Sequence, residues 1–387
     1  CRGRPRHQRP VPARLDAPVI EAPRPRRILI VRSAIEDFYE PSWLRALSDN
    51  GHEVELFDTF SYLTRTPPLQ GSESTAMRSP DRLGWWQHRL LWGPRIAAAN
   101  RALIARTRQA APDVVLMYLG HHYTADTIRT LGRLSFVSLF HSDDPFGPRR
   151  SHPRYRLLHA ALPYYQGGHF YRQATTDDAL AEGIRRSELL LDFYRPWVDY
   201  PRSGSAEHEA VFIGHNEPGF RIECIARGLR AGLPIQVYSH ESAWQNSLPR
   251  DVARVAAVRP GLYGDAYREK LSRAKVSLCF LSRWNRDVYT RRVFEIPACG
   301  GLLFCERSAF MQTLYEDQKE AVFFSSSDEF VDKLHYYLTH ESERQAIAAL
   351  GRERLLRSGH DIHTRLRHWA ATLERWMRER ESELCAS

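Results

Sequence analysis

Arg291, Arg292 and Glu295 lie in one short stretch, Thr290 to Glu306, which also holds Pro297 and the pair Gly300-Gly301 ahead of an apolar run. A diphosphate is recognised by Arg forks and by the partial positive charge of a helix N-terminus. A ribose diol is recognised by a carboxylate that accepts two hydrogen bonds. Arg292 and Glu295 are three apart, so a helix puts them on one face, where they can serve both ends of one nucleotide. Pro297 has no amide hydrogen and is tolerated best near a helix start, which predicts a start close to Arg292. Gly300-Gly301 predicts a left-handed stop before a strand. The plainer reading of the same residues is an intrahelical ion pair on a solvated face, worth only about 0.3–0.5 kcal/mol. Arg291 faces either ligand or water on this pattern.

Three other clusters carry chemistry. Gly214 to Arg221 (GHNEPGFR) joins an expected strand to an expected helix, with Gly214 where backbone can approach a phosphate and Arg221 a turn into the helix. A turn needing glycine for shape alone looks the same. His141, Asp143 and Asp144 stand at a strand end before Pro145, where an imidazole and two carboxylates can orient an acceptor hydroxyl or act as a base. Adjacent Asp residues cannot both point into one site, and a cap beside Pro145 is the alternative. No His/Glu pair at helical spacing accompanies them, so no metal is expected. His121-His122 follow another strand, as neutral imidazoles for a sugar or diphosphate or as surface loop. Trp85, Trp86 and Trp92 with Arg89 and Arg95 suit either an interfacial belt on a bilayer or packing of a helix onto a sheet. Packing is the expectation, because large aromatics mostly bury.

The wording RRVFEIPACGG over Arg291 to Gly301 resembles the R-x-F-E-x-x-A-x-G signature of the CgeB-type (spore maturation protein B-like) glycosyltransferases, relatives of the large retaining group with GT-B architecture. That larger group carries a Glu, seven residues, and a second Glu just before A-x-G. Asp287 and Glu295 stand at that spacing, with Asp in place of the first Glu. Phe212-Ile213-Gly214, Arg221, Leu262-Tyr263-Gly264-Asp265-Ala266-Tyr267 and Ala274 to Leu278 follow the family's order, as do Pro112 to Met117 and Phe140 to Pro145 in the first half. The similarity runs roughly from residue 27 to 375. It implies that Glu295 binds ribose hydroxyls, that Asp287 contacts the transferred sugar, and that transfer retains anomeric configuration. The wider group pairs the Arg221 position with a Lys that is missing here, leaving Arg292 or Lys275 to compensate. The expected substrate-binding set is therefore Glu295, Arg292, Arg221, Gly214, Tyr263, Asp143 and His122. The expected catalytic set is Asp287, Asp144 and His141, with a nucleotide-sugar donor, a hydroxyl acceptor and neither metal nor cofactor.

These side chains need elements to hold them. A chain of 387 residues exceeds one typical core, so two domains are expected. Short apolar runs alternate with amphipathic stretches, the mark of βα units and parallel sheets. Strands are expected at 27–31, 53–57, 113–118, 136–141, 173–176 and 189–193, and after a Pro/Gly/Ser linker at 200–205 the pattern restarts at 210–214, 235–239, 276–281, 302–306 and 322–325. The pattern predicts an α/β chain of two Rossmann-like domains with mainly parallel sheets, and the resemblance implies that they take the GT-B arrangement, facing across a cleft. Residues 27–200 form the acceptor domain and 206–358 the nucleotide-sugar domain. A terminal helix at 359–380, with Leu366, Trp369, Leu373 and Trp376 on one side, crosses back to the first.

The net charge of +9 is mostly local, since residues 1–27 carry +6 in eight Arg against Asp16 and Glu21. That Arg/Pro-rich tail (1–26) reads as disordered, and the nearly balanced remainder offers no duplex-binding surface, so no nucleic-acid partner is expected. Six cysteines without a CxxC pair favour a reducing compartment, and no apolar run approaches a membrane span, so the expected place is the cytoplasm. Peripheral membrane contact stays open through the tryptophans. The rival readings are a nucleotide-sugar epimerase on the same architecture and a non-catalytic assembly protein that binds sugar nucleotides or polysaccharide.

Overall fold

Apolar runs rich in Val, Ile, Leu and Phe bury both faces only when helices cover a sheet on two sides, and the chain arranges this twice. The computed structural model describes residues 24–32, 38–64, 81–204, 207–254 and 256–386, so the expected disordered tail lies almost wholly outside the described residues. Strands β1 (Arg27–Arg32), β2 (Glu53–Asp58), β3 (Val114–Tyr118), β4 (Phe136–His141), β5 (Gly167–Phe170) and β6 (Ser187–Leu189) form one sheet in the order β2-β1-β3-β4-β5-β6. The second sheet holds β7 (Glu207–Ile213), β8 (Ile235–Ser239), β9 (Ala257–Pro260), β10 (Ala274–Cys279), β11 (Leu303–Glu306) and β12 (Val322–Phe324), ordered β12-β11-β10-β7-β8-β9. Every strand pairing is parallel.

The chain divides into two compact units. One contains the second sheet, in Tyr194–Leu281 and Val288–His360. The other contains the first sheet in the residues up to Phe193, and adds Ser282–Asp287 and Asp361–Ser387. Leu29, Val31, Val115, Met117, Val137 and Leu139 centre one core, and Phe212, Val237, Leu278, Phe304, Phe324 and Phe330 the other. The terminal helix, Ile362–Ala386, buries Leu366, Trp369, Leu373 and Trp376. Trp369 meets Trp43 edge-on at 5.8 Å, and Trp376 lies against His169 at 4.7 Å and above Gly167, where no side chain would fit.

In the second sheet the chain runs outward in one direction through β8 and β9 and in the other through β11 and β12, so β7 and β10 flank a topological switch. Ligands of open parallel sheets lie beyond the carboxyl ends of the strands at such a point. The loops after β7 and β10 are the ones that carry Gly214 to Arg221 and the run into Arg292.

Three expectations are corrected. Residues 173–176 begin the helix Gln173–Ala181 rather than a strand: Thr175, Thr176 and Ala179 point inward at helical spacing, so tertiary packing overrides the strand preference of Thr. The strand expected at 189–193 ends at Leu189, since Asp192 turns to accept from Tyr39 Oη at 2.7 Å. Trp85, Trp86 and Trp92 are exposed instead of packed in the core.

Candidate functional site

At the β7/β10 switch, Gly214 continues β7 where a Cβ would stand 3.1 Å from Nη2 of Arg292. A side chain at this position would also crowd the Phe212 ring, whose Cζ would stand 2.9 Å from the Cβ. Arg292 opens the helix Arg292–Ala298. Pro297 cannot supply the amide that would bond to the Val293 carbonyl, and the Tyr315 hydroxyl donates to that oxygen instead, at 2.8 Å. Gly300, at φ 80°, makes the left-handed exit.

Glu295 is buried. Its Oε2 accepts from the Tyr267 hydroxyl at 2.8 Å, and its Oε1 lies 3.0 Å from Nε of Arg291. The ion pair on this helix therefore joins Glu295 to Arg291, four residues back, leaving Arg292 turned to Gly214. Burial and then the Glu295 charge push the Tyr267 phenol well above its ordinary value, so it stays a donor. Each carboxylate oxygen keeps a second lone pair for a hydroxyl. The Cys279 thiol at the end of β10 is drawn down first by a hydrogen bond from Cys305, then by one with Thr290 and by the charges of Arg292 and Arg221.

Arg221 is turned onto its own loop. Nη1 donates to the His215 carbonyl at 2.7 Å, Glu217 lies 3.8 Å away, and the guanidinium sits over the Phe212 ring at 5.4 Å. It shapes the Gly214 loop that precedes the helix Phe220–Arg230. Lys275 is not a substitute for the missing family Lys: it lies at the amino end of β10 and donates to the Leu338 carbonyl at 3.4 Å. Tyr263, 60 % exposed, precedes the helix Gly264–Arg273 that carries Tyr267.

The remaining expected residues belong to the first-sheet unit. Asp287 is held there by Arg172, whose Nε donates to Oδ1 at 2.6 Å while Nη1 donates to the Ser142 carbonyl at 2.8 Å. Asp144, fully buried, accepts from the backbone N–H groups of Phe146 and Gly147 at 3.1 and 2.9 Å, and Arg286 forks onto both its oxygens at 2.5 and 2.9 Å. Asp144 thus makes the cap that the plainer reading expected, with an ion pair added. Asp143 points elsewhere and pairs with Arg154 at 3.1 Å.

His141 is buried with both ring nitrogens engaged. Nδ1 faces the Asp143 carbonyl at 3.1 Å and so carries the proton, and Nε2 then accepts from Nε2 of His121 at 3.1 Å. His122, behind it, meets Nδ1 of His88 at 2.7 Å. Burial lowers His141 to about 4 against the opposing Asp143 charge, and lowers His122 to about 3 with help from His88, so both are neutral at pH 7. The four imidazoles thus form two hydrogen-bonded pairs, His121 with His141 and His88 with His122, and Nδ1 of His122 is buried without a hydrogen-bond partner among the described residues. Among the described residues no three His, Cys, Asp or Glu side chains are placed to hold a metal ion.

The structure brings together Gly214, Arg292 and Glu295, with Arg221 shaping their loop. Reasoning from sequence missed Tyr267, Arg172, Arg286 and Tyr315. Tyr267 had a signal, lying in the family-ordered run beside Tyr263. Arg286 had none, because its partner Asp144 is 142 residues away.

Residues 218–371 match the family described as glycosyl transferase-like. Among solved structures, sucrose-phosphate synthase from Thermosynechococcus elongatus superposes with a TM-score of 0.63 at 10 % identity, covering 93 % of this chain and 100 % of that one. Anabaena HepE in complex with UDP-glucose gives 0.60 at 12 % identity, covering 90 % and 99 %. A UDP-forming α,α-trehalose-phosphate synthase from Burkholderia vietnamiensis gives 0.61 at 13 %, covering 91 % and 99 %. At such identities the likeness is one of fold, and the fold is that of the GT-B glycosyltransferases. No curated protein matches the chain. No described helix is long and apolar enough to cross a membrane.

Proposed function

We propose that this glycosyltransferase-like chain is an enzyme that moves a sugar from a nucleotide-diphosphate donor to an acceptor hydroxyl, with retention of configuration, without a metal, and as a CgeB-type member of its superfamily. The observation that carries the reading is the meeting of Arg292 with Gly214 at the sheet's switch point, beside a buried Glu295 set by Tyr267. In this reading Glu295 accepts from the ribose hydroxyls. Arg292 and the amides at the start of the helix Phe220–Arg230 take up the charge that grows on the departing diphosphate, and fixed donors of that kind act without reorganising. Tyr263 offers an exposed ring for the base. The histidine network with Asp143 supports the acceptor side.

Two of the similar structures, both of Anabaena HepE, are complexes with UDP-glucose or with UDP and glucose, so UDP-hexoses are the first donors to try. The test is a thermal-shift panel of nucleotide sugars, since a ligand that binds only the native state raises its melting point. One family of donors should shift the wild type and fail to shift Glu295→Ala. A panel in which no nucleotide shifts the wild type defeats the reading.

A non-catalytic sugar-nucleotide binder has one observation in its favour: Asp287 and Asp144 are both committed to guanidiniums. Donor hydrolysis or transfer by purified protein separates the two readings, because the binder shifts thermally yet turns nothing over.

A further inference from the structure

The helix Arg82–Leu90 is built inside out. Gly84 and Gln87 face the protein, while Leu83, Trp85, Trp86 and Leu90 are 42–56 % exposed and Trp92, just beyond the end, is 73 % exposed. A surface helix ordinarily turns its apolar stripe inward. The reversal is held firmly. Asp81 caps the helix by accepting from Gly84 N at 2.9 Å and grips Arg95 at 2.8 and 2.7 Å. Gln87 Oε1 accepts from Arg95 N at 2.8 Å, and Arg156 Nη2 donates to the Leu90 carbonyl at 3.1 Å. Gly84 lies so close to the Leu63 carbonyl that no side chain fits between them. The aromatic face is therefore displayed by a fixed scaffold.

Among the described residues, the helix carries charge of one sign. Arg82 and Arg89 are exposed with Trp85 and Trp86 between them, and Arg89 lies 5.5 Å over the Trp85 ring. Arg156, whose guanidinium reaches the Leu90 carbonyl, is exposed near the helix end. The helix contains no acid, and the capping Asp81 is neutralised by Arg95.

We propose that this face docks the protein on a membrane surface rich in anionic lipid headgroups. Tryptophan and leucine seat at the headgroup boundary, and arginine meets lipid phosphate, so both halves of the pattern find a partner there. A neutral glycan would stack on the indoles but leaves Leu83, Leu90 and the guanidiniums unmatched. A second copy of the chain is like-charged here, and five half-exposed side chains offer on the order of 500 Å², short of the roughly 800 Å² per partner that a stable protein complex buries. The docking is independent of the sugar-transfer reading.

The test is flotation of the full chain with vesicles of phosphatidylcholine, with and without phosphatidylglycerol, at physiological salt. Wild type should float with the anionic vesicles and show blue-shifted tryptophan emission. The triple variant Trp85→Ser, Trp86→Ser, Trp92→Ser should lose about tenfold or more in partitioning while keeping its melting temperature. Arg82→Glu with Arg89→Glu should lose the preference for anionic lipid. Trp92→Ser alone, outside the helix, gives a smaller loss and covers the case in which the triple variant fails to fold. The Arg-rich residues 1–27 are present throughout, so any difference reports the helix. Equal flotation of wild type and tryptophan variants overturns the proposal. So does a wild type that stays with the lipid-free fraction, or variants that instead abolish a dimer or the capture of a soluble glucan.

Discussion

A buried carboxylate that already accepts from a phenol can fail in two ways when it is removed, and the two are separable at Glu295. Glu295→Ala takes away the proposed ribose acceptor and also strands the Tyr267 hydroxyl, which costs about 1–3 kcal/mol of stability. Adding Tyr267→Phe removes the stranded donor, so the double variant should recover much of the melting temperature without recovering nucleotide affinity. Calorimetric titration beside thermal melts reads both, and affinity returning with stability would assign Glu295 a purely structural part. Arg292→Ala should lower turnover by about a hundredfold, the usual cost of one charge-stabilising donor, with a small change in stability because the side chain is half-exposed. The short helix that carries Arg292 and Glu295, and its left-handed exit, were legible from Pro297 and the Gly300-Gly301 pair, because those signals are local in sequence. The commitments of Asp287 to Arg172 and of Asp144 to Arg286 were not legible: each joins residues more than a hundred positions apart, and only the folded chain selects one of many arginines.

At the scale of elements, strands such as β3 and β4 were readable because both faces are buried and, up to His141 at the end of β4, almost every position is apolar or small. β5 was hidden by Gly167 and Gly168, which weaken any strand pattern and are required here by Trp376 and by Ile184 with Phe170 packed above them. The helix Arg82–Leu90 could be expected as a helix, but its orientation could not, since the same stripe of Trp and Leu suits burial equally well. The helix Arg292–Ala298 offers the sharpest test of local accounting. Tyr315→Phe leaves the Val293 carbonyl buried without its donor, at a cost of about 1–3 kcal/mol. Pro297→Ala in that background restores a backbone amide within reach of the same oxygen, so the second substitution should return most of the loss. Urea denaturation of the three variants decides it, and strict additivity of the two changes would show that the hydroxyl and the proline are unconnected.

Over the whole molecule, the histidines of the first-sheet unit tie folding to pH in a direction set by their burial. Burial lowers His141 to about 4, His122 to about 3 and His169 to about 3, each from an ordinary value near 6.5 that the unfolded chain regains. The unfolded state therefore binds more protons than the native one between roughly pH 6.5 and 4, so stability is full above that window and falls as pH falls through it. Each imidazole contributes a slope of up to about 1.4 kcal/mol per pH unit. His169 isolates one member, because it lies between Trp369 and Trp376 with neither ring nitrogen hydrogen-bonded among the described residues. His169→Phe removes a proton-binding site from the unfolded chain and a desolvated polar group from the native core. Urea unfolding at about pH 7.5 and about pH 5 should then show the variant losing less stability on acidification than the wild type, by about 1–2 kcal/mol. Parallel losses in the two proteins would mean that the acid sensitivity resides in other groups and that this buried imidazole titrates alike in both states.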